Sequence, residues 1–102
     1  MVQILTRHNK PSLAYIFDKR GGELPPVVFL GGFRSDMLGS KAEFLSEMCA
    51  RQDRSYLRLD YSGHGQSEGN FADLTISDWY QDVVDILAHT KLNNAIIVGS
   101  SM

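Results

Sequence analysis

The chain has 102 residues, 43% of them hydrophobic and 22% charged, which suits one domain of modest size with a packed core and excludes a disordered segment. A net charge of −2 supplies no field to hold nucleic acid or an anionic membrane surface. No apolar run approaches the ~18 residues of a membrane span, and a single cysteine excludes an internal disulfide and a Cys/His zinc cluster.

Residues 2–6 and 13–18 are short runs rich in Val, Ile, Leu, Tyr and Phe. Arg7, His8, Asn9, Lys10 and Pro11 between them have turn composition, so the two runs predict an antiparallel pair at a sheet edge. His8 falls in that turn as a solvated residue, with no neighbour in sequence to orient it as a base. The start has no charged region followed by an apolar core, so no signal peptide is expected. Arg7, Lys10, Lys19 and Arg20 are interspersed with Asp18 and Glu23 and do not make a transit peptide.

Residues 19–26 hold two glycines and two prolines and read as a loop. The next four, Val27, Val28, Phe29 and Leu30, are continuously apolar and end at Gly31 and Gly32. A strand apolar on both faces belongs in the middle of a parallel sheet covered by helices.

Ser40 and Glu43 have the spacing of a capping box, which predicts a helix from there to about Gln52. Ala42, Leu45, Met48 and Cys49 share one face of it, so Cys49 reads as a small core residue rather than a nucleophile. Residues 55–60 predict the next strand, followed by a glycine-rich loop over residues 61–70. Thr75 and Asp78 mark a second helix start, with Ile76, Tyr80, Val83, Val84 and Leu87 as its apolar stripe. Trp79 lies near this stripe in a packing role. His89 and Lys91 stand at the helix C-terminus, where cations are favoured. Residues 95–98 form the last predicted strand. The order β-β-β-α-β-α-β predicts a single α/β domain with a mostly parallel sheet and an antiparallel N-terminal pair.

The last strand runs into Gly99-Ser100-Ser101-Met102. A strand entering Gly-x-Ser is the front of the nucleophile elbow, G-x-S-x-G, a strained turn that lifts a serine oxygen above the sheet; Ser101 stands in the serine position. A nucleotide-binding alternative fits poorly. Gly63-His64-Gly65 follows a strand, but Glu68 stands where a dinucleotide fingerprint needs glycine. Residues 68–74 also separate these glycines from the helix that would hold a pyrophosphate. The stretch from Gly32 to Lys41 fails the spacing of a phosphate-binding loop.

Three blocks, each at the end of a predicted strand, resemble the α/β-hydrolase family in family order. They are Gly31-Gly32-Phe33, then Asp60-Tyr61-Ser62-Gly63-His64-Gly65-Gln66-Ser67, then Gly99-Ser100-Ser101-Met102. The stretches 13–15, 33–42, 58–63 and 98–102 are similar to one branch of that family, which holds acyl-protein thioesterases and acyl-glucuronide esterases of mitochondria and their bacterial relatives. The resemblance covers nearly the whole chain.

It implies a serine hydrolase acting on a small-molecule carboxylic ester or acyl thioester, with no cofactor and no metal. Ser101 would be the nucleophile, and the backbone N–H groups of Phe33 and Met102 would form the oxyanion hole. Met37 would line an acyl pocket or pack in the core. In the family the triad runs serine, acid, histidine along the chain, so His64, which precedes Ser101, is not expected to be the base. Asp36 and Asp60 are expected to order loops. The acid and base would then lie beyond residue 102. Residues 1–102 are accordingly expected to be the N-terminal part of an α/β-hydrolase domain, cut at the elbow and inactive alone. The competing expectation is a non-catalytic α/β module or a degenerate product. Without a presequence, a bacterial cytoplasm is expected, with the mitochondrial matrix after presequence removal as the alternative.

Overall fold

The computed structural model describes residues 1–32 and 34–100. Five strands form one sheet: β1 (Gln3–Arg7), β2 (Lys10–Asp18), β3 (Val27–Leu30), β4 (Tyr56–Leu59) and β5 (Ile96–Gly99). Two helices, α1 (Ser40–Arg51) and α2 (Ile76–Thr90), and a short 3-10 turn at Phe71–Asp73 complete the order. Across the sheet the strands run β1-β2-β4-β3-β5.

The N-terminal pair forms at the edge, as its composition predicts, in the register Ile4↔Ala14 and Leu5↔Leu13. Its turn is tighter than the sequence suggests. Asn9 takes φ 56, a left-handed conformation that Asn tolerates, and β2 therefore starts at Lys10. β4 enters antiparallel to β2 and parallel to β3, which in turn pairs in parallel with β5.

Side chains alternate between the two faces of a strand. Val27 and Phe29 pack with Ala42 and Cys49 of α1, whereas Val28 packs with Trp79 and Ile86 of α2. Tyr56 and Leu57 divide in the same way, so the helices cover opposite faces. That explains the unbroken apolar run of β3. Cys49 is fully buried, and burial pushes its thiol up, against a smaller opposing effect of Arg54 and Arg20.

Two local expectations are corrected. The capping box at Ser40 does not form: Gly39 is the N-cap of α1, without a side-chain hydrogen bond. Glu43 accepts instead from Arg58 of β4 at 2.7 Å. Arg58 is buried, and leaving its guanidinium unpaired would cost several kcal/mol, against about 1 kcal/mol for a cap. The second correction is the rotation of α2. Its capping box between Thr75 and Asp78 forms as expected, but the buried face is Trp79, Asp82 and Ile86. Ile76 and Tyr80 of the expected stripe are 66% and 71% exposed. Polar bonds set this rotation: Trp79 donates to the Ser62 carbonyl at 3.0 Å, and Asp82 accepts from the Ser62 N–H and hydroxyl at 2.7 and 2.9 Å. Val83 and Leu87 of the stripe do pack against the core, and the stripe joins Leu30, Tyr61 and Ile97 around an open apolar groove of about 440 Å³.

Arg7 of β1 clasps the other end of this network. Its Nη1 lies 2.9 Å from carboxylate oxygens of both Asp82 and Asp85. Partial burial alone would raise the Asp85 carboxyl, but hydrogen bonds from Gln81 and Arg7 and the Arg7 charge outweigh it, holding the group below its usual range. The contact therefore stabilises the fold above the ordinary carboxylate range and is lost as pH falls through the depressed value. Asp85→Asn is expected to lower stability at neutral pH by about 0.5–1 kcal/mol, since the pair is partly exposed. Thermal melts across the acid range check this: the gap between the two proteins closes as pH falls, and a pH-independent gap contradicts the assignment.

Candidate active site

The parallel strands β3, β4 and β5 end on the same side of the sheet, at Leu30, Leu59 and Gly99. Ligands of open α/β sheets bind outside such carboxyl ends. Leu30 and Gly99 are register partners, and the Ser100 N–H donates to the Leu30 carbonyl at 2.9 Å. This bond stitches the residue before Ser101 to the strand that leads into Gly31-Gly32-Phe33. A cavity of about 250 Å³ opens there, lined by Phe29, Gly32, Ser35, Asp36, Lys41 and Ser100 among others. Lys41 Nζ reaches Ser100 Oγ at 3.4 Å. A second cavity of about 330 Å³ shares Ser35 and Asp36 and adds Arg34, Gly63, His64 and Phe71.

The loop after β3 is held by the loop after β4. Asp60 accepts the Met37 N–H at 2.8 Å and, through its other oxygen, the Gln66 N–H at 2.9 Å. Tyr61 donates its hydroxyl to the Gly31 carbonyl at 3.0 Å. His64 Nε2 receives the Arg34 N–H at 3.2 Å. Within the β3 loop, the Ser35 N–H and hydroxyl both donate to the Gly32 carbonyl, closing a turn in which Arg34 takes φ 62. The glycines of the second loop have a steric reason. Gly65 has φ 48, and a Cβ there would overlap the Asp60 carboxylate. Gly63 has φ 74, and a Cβ there would lie 2.9 Å from the backbone of Phe71.

The predicted site residues are placed as follows. Phe33, Ser101 and Met102 lie outside the described residues, between or beyond neighbours that are placed. Met37 is 1% exposed and packs against Ala14 and Ile16, the core-packing alternative of the two expected for it. Its position follows from the bond that draws its backbone onto Asp60. Asp60 and Asp36 both order loops; Asp36 accepts from the Leu38 N–H at 2.9 Å. His8 is exposed beside Asn9, and His89 is exposed with its ring edge-on to Tyr15.

The sequence reading missed Tyr61, Ser62, Asp82 and Arg7 as supports of this site. Asp82 carried a signal: it falls between Trp79 and Ile86 at helical spacing, a charged residue on a face otherwise apolar.

Burial pushes the Asp60 carboxyl up, although the N–H groups of Gln66 and Met37 pull it down. Its two oxygens each satisfy a different N–H, which an amide cannot do. Asp60→Asn is expected to destabilise the chain by about 1–3 kcal/mol, the cost of an unsatisfied buried donor. Denaturant titration checks this, and a change below about 0.5 kcal/mol would mean the two N–H groups find other acceptors.

No profile of a known protein family matches the chain. It is similar to palmitoyl-protein thioesterase ABHD10 of Mus musculus, a mitochondrial protein, with 38% identity over 101 residues that cover 99% of this chain and 33% of the relative. The Homo sapiens protein of the same name is 37% identical over the same length. The chain thus spans about a third of the length of these curated relatives. Among solved structures, the mouse α/β hydrolase domain-containing protein 10 superposes with a TM-score of 0.91 over 99% of this chain and 40% of its own. A protein of Agrobacterium vitis S4 described as a hydrolase does so with 0.89 at 38% identity, over 100% of this chain and 40% of its own. The described residues form the N-terminal portion of an α/β-hydrolase fold, in a chain whose sequence resembles the ABHD10 thioesterases.

Proposed function

We propose that residues 1–102 form the N-terminal part of the domain of a serine hydrolase that cleaves carboxylic ester or thioester bonds through an acyl-serine intermediate. The observation that carries this reading is the bond from the Ser100 N–H to the Leu30 carbonyl. It ties Ser100, which follows Gly99 at the carboxyl end of β5, to the carboxyl end of β3, which leads into Gly31 and Gly32. That is where a nucleophile and an oxyanion hole must meet.

Ser101 is the nucleophile in this reading. Its hydroxyl attacks the carbonyl carbon, and the leaving alcohol or thiol departs as the acyl-enzyme forms. The tetrahedral intermediate carries negative charge on the former carbonyl oxygen. The N–H groups of Phe33 and Met102 receive that charge. The firmly held loop after β3 supports the first of these donors. The base and acid come from the part of the domain beyond residue 102, so the 102 residues are inactive by themselves. The thioesterase name of the ABHD10 proteins supports a thioester substrate. Their mitochondrial location supports the matrix as the compartment, and the Agrobacterium protein supports a bacterial one.

The test uses a completed chain. It is made by in-frame continuation of the gene or by grafting onto residue 102 the segment that follows the matched region in mouse ABHD10. The completed chain is expected to hydrolyse acyl esters and acyl thioesters with saturable kinetics. A folded completed chain that hydrolyses neither overturns the reading.

A further inference from the structure

His64 uses both ring nitrogens to join two loops. Nδ1 lies 3.1 Å from the carbonyl oxygen of Ser62, and Nε2 lies 3.2 Å from the backbone nitrogen of Arg34. A carbonyl can only accept and an amide N–H can only donate. One tautomer, with its proton on Nδ1, satisfies both partners. The residue is 4% exposed, and the rings of Tyr61, Phe71 and Trp79 meet it edge-on at centroid distances of 5.5, 5.2 and 5.3 Å. The ring is therefore packed from several sides and cannot turn without breaking contacts.

Each partner matters for a different reason. The Ser62 carbonyl also receives the Trp79 indole N–H at 3.0 Å, so the histidine hangs from a point fixed to α2. Arg34 holds φ 62, a conformation that costs a residue with a side chain about 1 kcal/mol or more. Its guanidinium stacks over the Phe71 ring at 4.8 Å, which anchors its side chain beside the same histidine. The amide that His64 accepts belongs to the peptide unit directly after Phe33.

We infer that His64 is a positioning residue for the oxyanion hole: by accepting the Arg34 N–H it holds the strained turn after Phe33 in the orientation that an oxyanion donor requires. The inference rests on the hydrolase reading above. It also gives His64 a role incompatible with that of general base, because the Nε2 lone pair is spent on the backbone.

Three substitutions in the completed chain separate the two bonds. The amide oxygen of His64→Gln reaches about as far as Nε2 and keeps an acceptor for Arg34. The amide nitrogen of His64→Asn reaches about as far as Nδ1 and keeps only the donor to Ser62. His64→Phe keeps the ring volume and neither bond. Misplacing a donor by about an ångström costs up to about 100-fold. The expected result is a fall in kcat of about 10- to 100-fold in the Asn and Phe variants, with KM changed by less than about threefold and kcat largely restored in the Gln variant. Should the Phe variant fail to fold, the Gln and Asn pair still decides. Equal kcat in Gln and Asn variants overturns the inference, as does a loss in all that follows melting temperature alone.

Amide hydrogen exchange at Arg34 gives a readout independent of activity. Protection is expected in the parent and His64→Gln proteins and its loss in His64→Asn. Equal protection in all three refutes the positioning role even if no substrate is ever turned over. Selective loss of protection in a folded but inactive completed chain upholds the contact and places the failure in the hydrolase reading.

Discussion

In the completed chain a fluorophosphonate probe is expected to label one residue, Ser101, and Ser101→Ala is expected to abolish both labelling and hydrolysis. The expected loss in kcat is on the order of 10⁴- to 10⁶-fold, the range seen when a nucleophile is removed from a preorganised serine site. Ser100→Ala keeps the labelling, because Ser100 occupies the variable position of the elbow sequence. Its hydroxyl faces Lys41 at 3.4 Å. The 102-residue chain alone is expected to label hardly at all. An unassisted serine hydroxyl is a weak nucleophile at neutral pH, and neither His64 nor His8 is available as its base. His64 has both ring nitrogens engaged, and exposed His8 sits in the β1–β2 turn beside Asn9. Mass spectrometry of the labelled peptide distinguishes the two serines. Strong labelling of the 102-residue chain would contradict the role assigned to His64 as well as the external base.

Replacing Phe33 by proline is the second large effect. Proline lacks the N–H that would contact the oxyanion, and loss of one such donor is worth about 3 kcal/mol, or roughly 100-fold in kcat. Phe33→Ala retains the N–H and is expected to lose far less. Both variants have to melt within a few degrees of the parent for the comparison to hold. Equal losses in two folded variants would move the first oxyanion donor away from Phe33.

Much of the fold was legible because its strongest signals are local. The apolar run of β3, the glycine-rich loop after β4 and the Thr75–Asp78 cap each lie within a few residues. The misreadings have a common physical origin in contacts between distant segments. Glu43 stands at capping-box spacing from Ser40, yet the buried charge of Arg58, 15 residues away, draws it to the sheet. Helix α2 carries two overlapping apolar stripes, and the one with more aliphatic residues is half-buried at Val83 and Leu87 and exposed at Ile76, Tyr80 and Val84. Ser62, itself 20 residues from Asp82, decides which stripe faces inward. The site divides in the same way. Ser101, Phe33 and Met102 are motif positions of the sequence and lie outside the described residues. The supports that Asp60, Tyr61 and His64 give to the β3 loop span 23 to 30 residues, and no spacing rule announces them.

The open groove beside α2 has a thermodynamic consequence for β5. Among the described residues β5 is paired on one side only, and Ile97 belongs both to this strand and to the groove wall. Ile97 is 54% exposed, so β5 draws little of its anchorage from burial on that face. Any surface that covers the groove adds apolar burial to α2 and β5 together, at about 25 cal/mol per Å². Covering the groove and holding β5 in the sheet are therefore linked equilibria.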